Sequence, residues 1–488
     1  MGKIFAWTLG GPRQLLVHGV AAYDCPRGGV HRGTSHGLAC SAAASSLKHM
    51  LAGDLALRDL RLRGSEIAFL AVAMGVTWLG NEFPTSGGVS PWFRQTPLGI
   101  PVHFLLFFLL LAVLAPYVVA TPRFSMAARM RELGLFRLAV LAWAVIGFAI
   151  AVAIFRGSPE LFADWRNLLI TTITAVFAAK FLASQPWRQI ALIDLAIVYG
   201  LLSVPTLIVY ALGQGNSLFG VRTTVFDAPT LYTAGFSAMT AAWFYLFPSP
   251  SQGRTRVTLL NLAGIASSLL VLLSFRRSFW VAWAVGLAVV LLISMRLKQY
   301  SRIRLFAALA GLGATIAVAV VALGTDAIGA RLESFLPGST GQFSATNEDH
   351  LNDIVDAWHV VERDPILGLG IGRAYETNLI SDWKTESFEV HSAVLHVWLK
   401  FGIAGAVAYL AFHFGIVRAA LRTRELVPIA AFVIGELAAT AFGTWPYGSF
   451  QMSVFHGLLI ALLVTHRDWP APIYRSKQSD YLVASNAV

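Results

Sequence analysis

The sequence predicts an all-α, polytopic membrane protein of about twelve transmembrane helices, with one long, partly helical loop on the non-cytoplasmic face. Three observations predict it. Of 488 residues, 56% are hydrophobic and only 13% charged, where soluble domains carry roughly 25% charged residues. Apolar runs long enough to cross a bilayer recur almost to the C-terminal end. In lipid such runs must be helical, because only a helix pairs its own backbone groups within one segment. Finally, Lys and Arg concentrate in alternate short connections, as membrane orientation requires.

The net charge of +11 invites a nucleic-acid reading, which the distribution of that charge opposes. Long basic arms interleaved with aromatics are absent, so no nucleic-acid partner is expected. Residues 1–62 form a basic segment of Gly, Ser, Arg and His without clear periodicity, read as a disordered tail or as non-native sequence ahead of a start at Met50. No cleavable signal peptide is evident there. The two cysteines, Cys25 and Cys40, imply no disulfide scaffold. With His31 and His36 they match no reliable zinc spacing.

Spans one to nine are expected within 63–323, near Ile67–Phe83, Ile100–Ala120, Leu138–Phe155, Asn167–Ser184, Ile190–Leu212, Thr230–Leu246, Val257–Phe275, Phe279–Met295 and Leu305–Leu323. Three more are expected within 391–466, near Ala393–Val417, Leu426–Ala441 and Gln451–Thr465, before a cytoplasmic tail at 467–488. With the N-terminus inside, the inner connections hold Arg123, Arg129, Arg131 and Arg137; Arg188; Arg254 and Arg256; Arg296, Lys298, Arg302 and Arg304; and Arg418, Arg422 and Arg424. The short outer connections are poorer in cations. Inside the membrane, Lys180 and Asp194 are expected to pair, since isolated charges there are costly, and Glu436 has no obvious partner.

The outer loop, 324–390, is different in kind. Thr325–Val390 holds twelve Asp or Glu against four Lys or Arg. It is too long for a simple turn and should carry its own helices. Its Asp349, Asp353 and Asp356 are read as a solvated helix face in preference to a divalent-cation site.

Three outer features carry potential chemistry. Arg222 and Asp227 lie in Gly220–Pro229; Arg276 and Arg277 occupy the tight turn Ser274–Trp280; and Asp364-Pro-Ile-Leu-Gly-Leu-Gly-Ile-Gly372 is followed by His391 at the mouth of the tenth span. Topology puts Arg222, Arg277 and His391 at one depth on one side. Guanidinium groups bind phosphate oxygens in bidentate fashion, and a histidine exchanges a proton near neutral pH. That combination suits a lipid diphosphate. The Arg276–Arg277 turn is the least easily explained otherwise, since so short a connection leaves both charges at the interface; the others also have a plainer reading. An Arg at a helix end snorkels to a headgroup, a lone interfacial His is more often structural, and Gly-x-Gly-x-Gly without a strand–helix context is no dinucleotide motif.

In this order and on this topology, the three features resemble the O-antigen ligase and polymerase superfamily. The resemblance runs over Gly213–Val407 and rests on Arg276-Arg277-Ser278-Phe279-Trp280, on Pro365, Gly368, Gly370 and Gly372, and on His391, Ser392, Leu395, Gly402 and Gly405. Ser392 stands where the family usually has Asn. Ala228-Pro229-Thr230 lacks the Asn common after that Pro, and His350 stands where an Arg is frequent. The resemblance implies an enzyme of the bacterial inner membrane with its site on the periplasmic face. The implied reaction is metal-independent and inverting, without a cofactor. An undecaprenyl-diphosphate-linked glycan is the implied donor, and lipid A–core or another glycan the acceptor. Arg222 and Arg277 would neutralise the diphosphate and His391 would be general base or a third diphosphate contact. Arg276, Asp227, His350, Gly370 and Gly372 would contact diphosphate or glycan. The neighbouring readings are a repeat-unit polymerase, a pilin-glycan ligase and, in another class, a lipid-linked glycan transporter.

Overall fold

The computed structural model describes residues 64–78, 102–121, 124–158, 165–185, 188, 190–213, 216–218, 221–223, 228–248, 253–297, 301–334, 344–377, 386–387, 390–441, 443 and 446–466. The unusual N-terminal run with Cys25, His31, His36, Cys40 and Met50, the tail 467–488, and Asp227 lie outside the described residues.

The described chain is all-α apart from two small hairpins. In order it forms α1 (Gly64–Trp78), α2 (Val102–Ala120), α3 (Met126–Leu133), α4 (Phe136–Phe155), α5 (Arg166–Ser184), α6 (Ala191–Leu201) and α7 (Ser203–Ala211). A hairpin of β1 (Asn216–Leu218) and β2 (Val221–Thr223) follows, then α8 (Ala228–Leu246), α9 (Arg254–Leu273), α10 (Arg277–Leu297) and α11 (Arg302–Leu323). The long loop contributes α12 (Thr325–Glu333), α13 (Ser344–Arg363), β3 (Tyr375–Glu376) and β4 (Glu386–Ser387). The chain returns through α14 (Ala393–Ala420), α15 (Val427–Thr440) and α16 (Phe450–Thr465).

Helix therefore stands at each of the twelve places where the apolar pattern predicts a span. Among the described residues, seven helices are long and apolar enough to cross a membrane: α4, α5, α6 with α7, α9, α10, α11 and α14. Segments of α1, α2 and α16 are apolar but shorter. The break between α6 and α7 has a covalent cause. Pro205 has no N–H to give and its ring crowds the carbonyl four residues back, so the ladder is interrupted at Leu202. Between α2 and α4, the polar helix α3 starts at Ser125, whose hydroxyl accepts the Ala128 N–H at 3.3 Å, and stops at Gly134 with φ 78°.

Packing follows small residues and aromatic rings. α16 lies along α5, α9 along α8 and α6, α10 against α15, and α14 against α4. Lipid tails are as apolar as leucine, so close backbone approach must supply what water expulsion cannot. A Cβ on Gly435 of α15 would stand 2.3 Å from the Ala282 carbonyl oxygen of α10. Behind it, Tyr199, Phe236, Phe432 and Phe455 interlock edge to face with centroids 5.3–5.9 Å apart.

The buried charges pair differently from expectation. Asp194 meets Arg256 (3.0 Å), which also reaches Glu66 at 3.6 Å. The Lys180 ammonium instead donates to the Thr121 carbonyl at 3.0 Å. Arg256 lies on α9, which packs on α6, whereas Lys180 turns toward the chain leaving α2. Glu436 pairs with His456 of α16 at 2.8 Å.

Candidate functional site

The site is built on a strained turn. Phe275, between α9 and α10, is the one non-glycine residue at positive φ among the described residues, at 59°. An aromatic residue there is held only if its surroundings insist. Its ring is fully buried and packs edge-on against Trp280 at 5.8 Å, while its carbonyl accepts Arg331 Nε–H at 3.2 Å. Trp280 Nε1–H donates to the Val271 and Leu272 carbonyls at the end of α9, which also accept the Ser274 and Phe275 backbone N–H groups at 3.3 Å each. The turn leaves Arg276 exposed and starts α10 at Arg277, half-buried. Arg277 Nη1 donates to the Ser334 carbonyl at 2.8 Å and to its hydroxyl at 3.3 Å, tying the turn to the end of α12. Arg331 lies close by: burial and the charge of Arg277 push its pKa down to about 10. Two guanidinium groups, half-buried Arg277 and buried Arg331, thus lie close together, and only Arg277 stands out in the sequence.

The second half of the site comes from α13 and the start of α14. His350 and Asp353, three residues apart, share a face of α13. Asp353 is 1% exposed. One of its oxygens accepts both the backbone N–H and the Nδ1–H of His391, each at 2.8 Å; the other accepts the Tyr375 hydroxyl. Burial alone would raise the Asp353 pKa, but these hydrogen bonds hold it below the ordinary carboxylate value. The His391 side chain remains 34% exposed in front of this buried carboxylate. The His350 ring meets His391 edge-on, with centroids 3.9 Å apart. Burial, then the charges of His391 and Arg277, push the His350 pKa down to about 4. His350 is thus the bridge that brings Arg277 and His391 into one cluster. Asp353 and Tyr375 are the members that the sequence does not reveal: the acidic row on α13 reads there as a solvated face, whereas Asp353 is buried. The available signal was the i, i+3 spacing of His350 and Asp353.

The Gly-x-Gly-x-Gly run is a clasp beneath this cluster. Gly368, Gly370 and Gly372 have φ of 63°, 100° and 72°, a conformation side chains rarely accept. A Cβ on Gly368 would stand 2.4 Å from the Leu399 carbonyl oxygen. On the facing side, α14 kinks at Gly402 (φ 70°), where Ile366 presses its carbonyl. The kink frees carbonyls of the preceding turn, and Gly370 N–H takes that of Leu399 at 3.2 Å. Arg156, at the end of α4, pairs with Asp364 at 3.0 Å and donates to the Gly368 carbonyl at 3.3 Å. Arg373 donates to the Arg156 carbonyl at 2.6 Å. These contacts fix the loop that leads to Tyr375 and His391.

Arg222 is placed elsewhere. It lies on β2 opposite Ser217, exposed, with its guanidinium 4.4 Å over the Tyr210 ring. Its hairpin shares a small apolar cluster with the Phe275 turn through Val221, Tyr210 and Leu273, so it neighbours the site.

A family model described as O-antigen ligase matches residues 262–410. The matched segment holds Arg276, Arg277, Arg331, His350, Asp353, Tyr375 and His391, that is, the whole cluster; Arg222 lies outside it. This segment belongs to the O-antigen ligase superfamily. No curated protein matches the chain. The O-antigen ligase domain, set among apolar helices, makes this a membrane protein of the glycan-transferring type, active in lipopolysaccharide or polysaccharide biosynthesis.

Proposed function

We propose that the protein transfers a glycan from an undecaprenyl-diphosphate carrier to a hydroxyl of an acceptor sugar, as an O-antigen ligase acting on lipid A–core. The supporting observation is the convergence of Arg277, His350 and His391 within the O-antigen ligase domain. The acceptor oxygen bonds to the anomeric carbon from the face opposite the carrier, inverting it. The bond from that carbon to the carrier's phosphate oxygen breaks, its electron pair staying with the diphosphate. Arg277, with Arg331 beside it, stabilises that charge by fixed guanidinium groups, so no metal is required. Arg222 and Arg276, exposed at the same end, meet the diphosphate as it arrives; Asp227, Gly370 and Gly372 belong to its surroundings or to those of the glycan. The cluster faces the periplasm of an inner-membrane protein of twelve spans. An apolar recess of about 560 Å³ between α4, α5 and α14, lined by Trp143, Phe401 and Tyr409 among others, suits part of a hydrocarbon chain.

The test is deletion of the gene in its host. Lipopolysaccharide is then run on a gel beside the lipid-linked glycan pool. Rough lipopolysaccharide with long glycan retained on the carrier is the expected result. A single repeat on lipid A–core would instead mean a polymerase, and an unchanged ladder would remove lipid A–core as the acceptor. Loss of transfer by purified protein in chelator would overturn the metal-independent reading.

A further inference from the structure

We propose that Asp353, itself held by Tyr375, is the positioning residue that fixes His391 with Nδ1 protonated, so that Nε2 takes the proton of the attacking hydroxyl. This rests on the transferase reading above and assigns His391 the role of base in preference to a third diphosphate contact.

The geometry points this way by elimination of freedom. A carboxylate is acceptor-only, so the 2.8 Å contact requires the hydrogen on Nδ1 of His391. In the neutral ring Nε2 then carries the lone pair. The second hydrogen bond, from the His391 backbone to the same oxygen, and the Tyr375 hydroxyl on the other oxygen leave the carboxylate no rotation. A buried apolar cluster of Val361, Tyr375, Val390 and Leu395 backs the arrangement. The carboxylate lies in the interior and the imidazole stands in front of it, half-exposed, as a base and its orienting group must be arranged. The positive charge needed at the diphosphate is already supplied by Arg277 and Arg331.

In the step this serves, the acceptor oxygen forms its bond to the anomeric carbon. The carbon–oxygen bond to the carrier diphosphate breaks with its electron pair, and the acceptor proton passes to His391 Nε2. The charged and titratable groups around His391 are Asp353, Asp349 and His350 on α13, Tyr375 on β3, Arg277 on α10, and His396 and Lys400 on the helix α14 that follows it.

The experiment uses the full chain in nanodiscs, with a polyprenyl-diphosphate-linked glycan as donor and a glycan acceptor. Rates are measured against pH for the wild type, Asp353→Asn, His391→Ala, the double variant and Tyr375→Phe. We expect Asp353→Asn to lower kcat by about 10²–10⁴-fold, the range of general-base contributions, with donor KM changed only a few-fold. Added to His391→Ala it should cost nothing more, since it acts through that ring. Wild-type kcat/KM should rise with pH through one ionisation, and Tyr375→Phe should shift that limb and lower kcat several-fold. Additive losses in the double variant, or kcat/KM that falls as the ring loses its proton, would overturn the assignment. If Asp353→Asn fails to fold, an unchanged Tyr375→Phe profile overturns it equally. A wild-type chain that transfers nothing sinks the transferase reading itself, and this proposal with it.

Discussion

Arg277 is fastened through its guanidinium to the end of α12, so its charge is placed before any ligand arrives. Such preorganised charge is where electrostatic catalysis gets most of its effect. Arg277→Ala is expected to lower kcat by about 10²–10³-fold, comparable with removing one oxyanion donor. Arg277→Lys should recover little of it, because a point charge cannot reproduce the planar fork. A Lys variant with wild-type kcat in the donor assay would refute the bidentate role. His350 permits a second prediction at this scale. Its pKa in the fold is about 4, below the ordinary value near 6.5. The unfolded chain therefore binds the proton first as pH falls, and stability should drop between about pH 6.5 and pH 4. The loss belonging to this residue is on the order of 2–3 kcal/mol. His350→Gln should flatten that part of the profile of Tm against pH; a slope unchanged by the substitution would mean that another group titrates there. Arg277 and His391 were legible in the sequence because residue type and topology mark them. Asp353, Tyr375 and Arg331 were not, because a loop of mixed charge does not say which of its groups turn inward.

At the scale of elements, the glycine motif shows a use that its sequence pattern does not display. By resemblance Gly370 and Gly372 are ligand contacts, and the fold in addition uses Gly368 and Gly370 to seat the loop on the kink of α14. Gly368→Ala combines a positive φ with a carbonyl oxygen 2.4 Å from the new Cβ, so it should destabilise by about 1–3 kcal/mol or more and lower transfer by misplacing His391. Gly313→Ala on α11, with open space around it, should be neutral or slightly stabilising, by up to about 1 kcal/mol. Melting curves of both in one detergent check the contrast, and equal Tm values would refute the clasp. The Arg256 network offers another comparison. Removing Arg256 strands the Asp194 and Glu66 side chains, which are 5% and 2% exposed, at a cost of about 3–5 kcal/mol. Adding Asp194→Asn to Arg256→Ala should restore part of that loss. The sequence could show that such charges need partners, but not which helices become neighbours.

For the whole molecule, the apolar runs of the sequence coincide with seven described helices long and apolar enough to cross a membrane, and a count of twelve spans depends on the shorter ones. α15 has 14 residues and α16 has 16, and both are buried almost throughout, so neighbouring helices replace lipid along their length. The number of crossings follows from the sidedness of the ends, which can be measured. With Cys25 and Cys40 replaced, single cysteines are placed at Leu351 on α13 and at Leu421 beyond α14, 59% and 44% exposed. If α14 crosses the membrane with the acidic loop outside, an impermeant maleimide should label Leu351→Cys in intact spheroplasts, and Leu421→Cys only after lysis. The positive-inside charges Arg418, Arg422 and Arg424 require that order. The reverse order would place the cluster of Arg277 and His391 in the cytoplasm, and with it the whole assignment of donor and acceptor would have to change. Labelling of both sites from outside would remove α14 from the spans and leave the count below twelve.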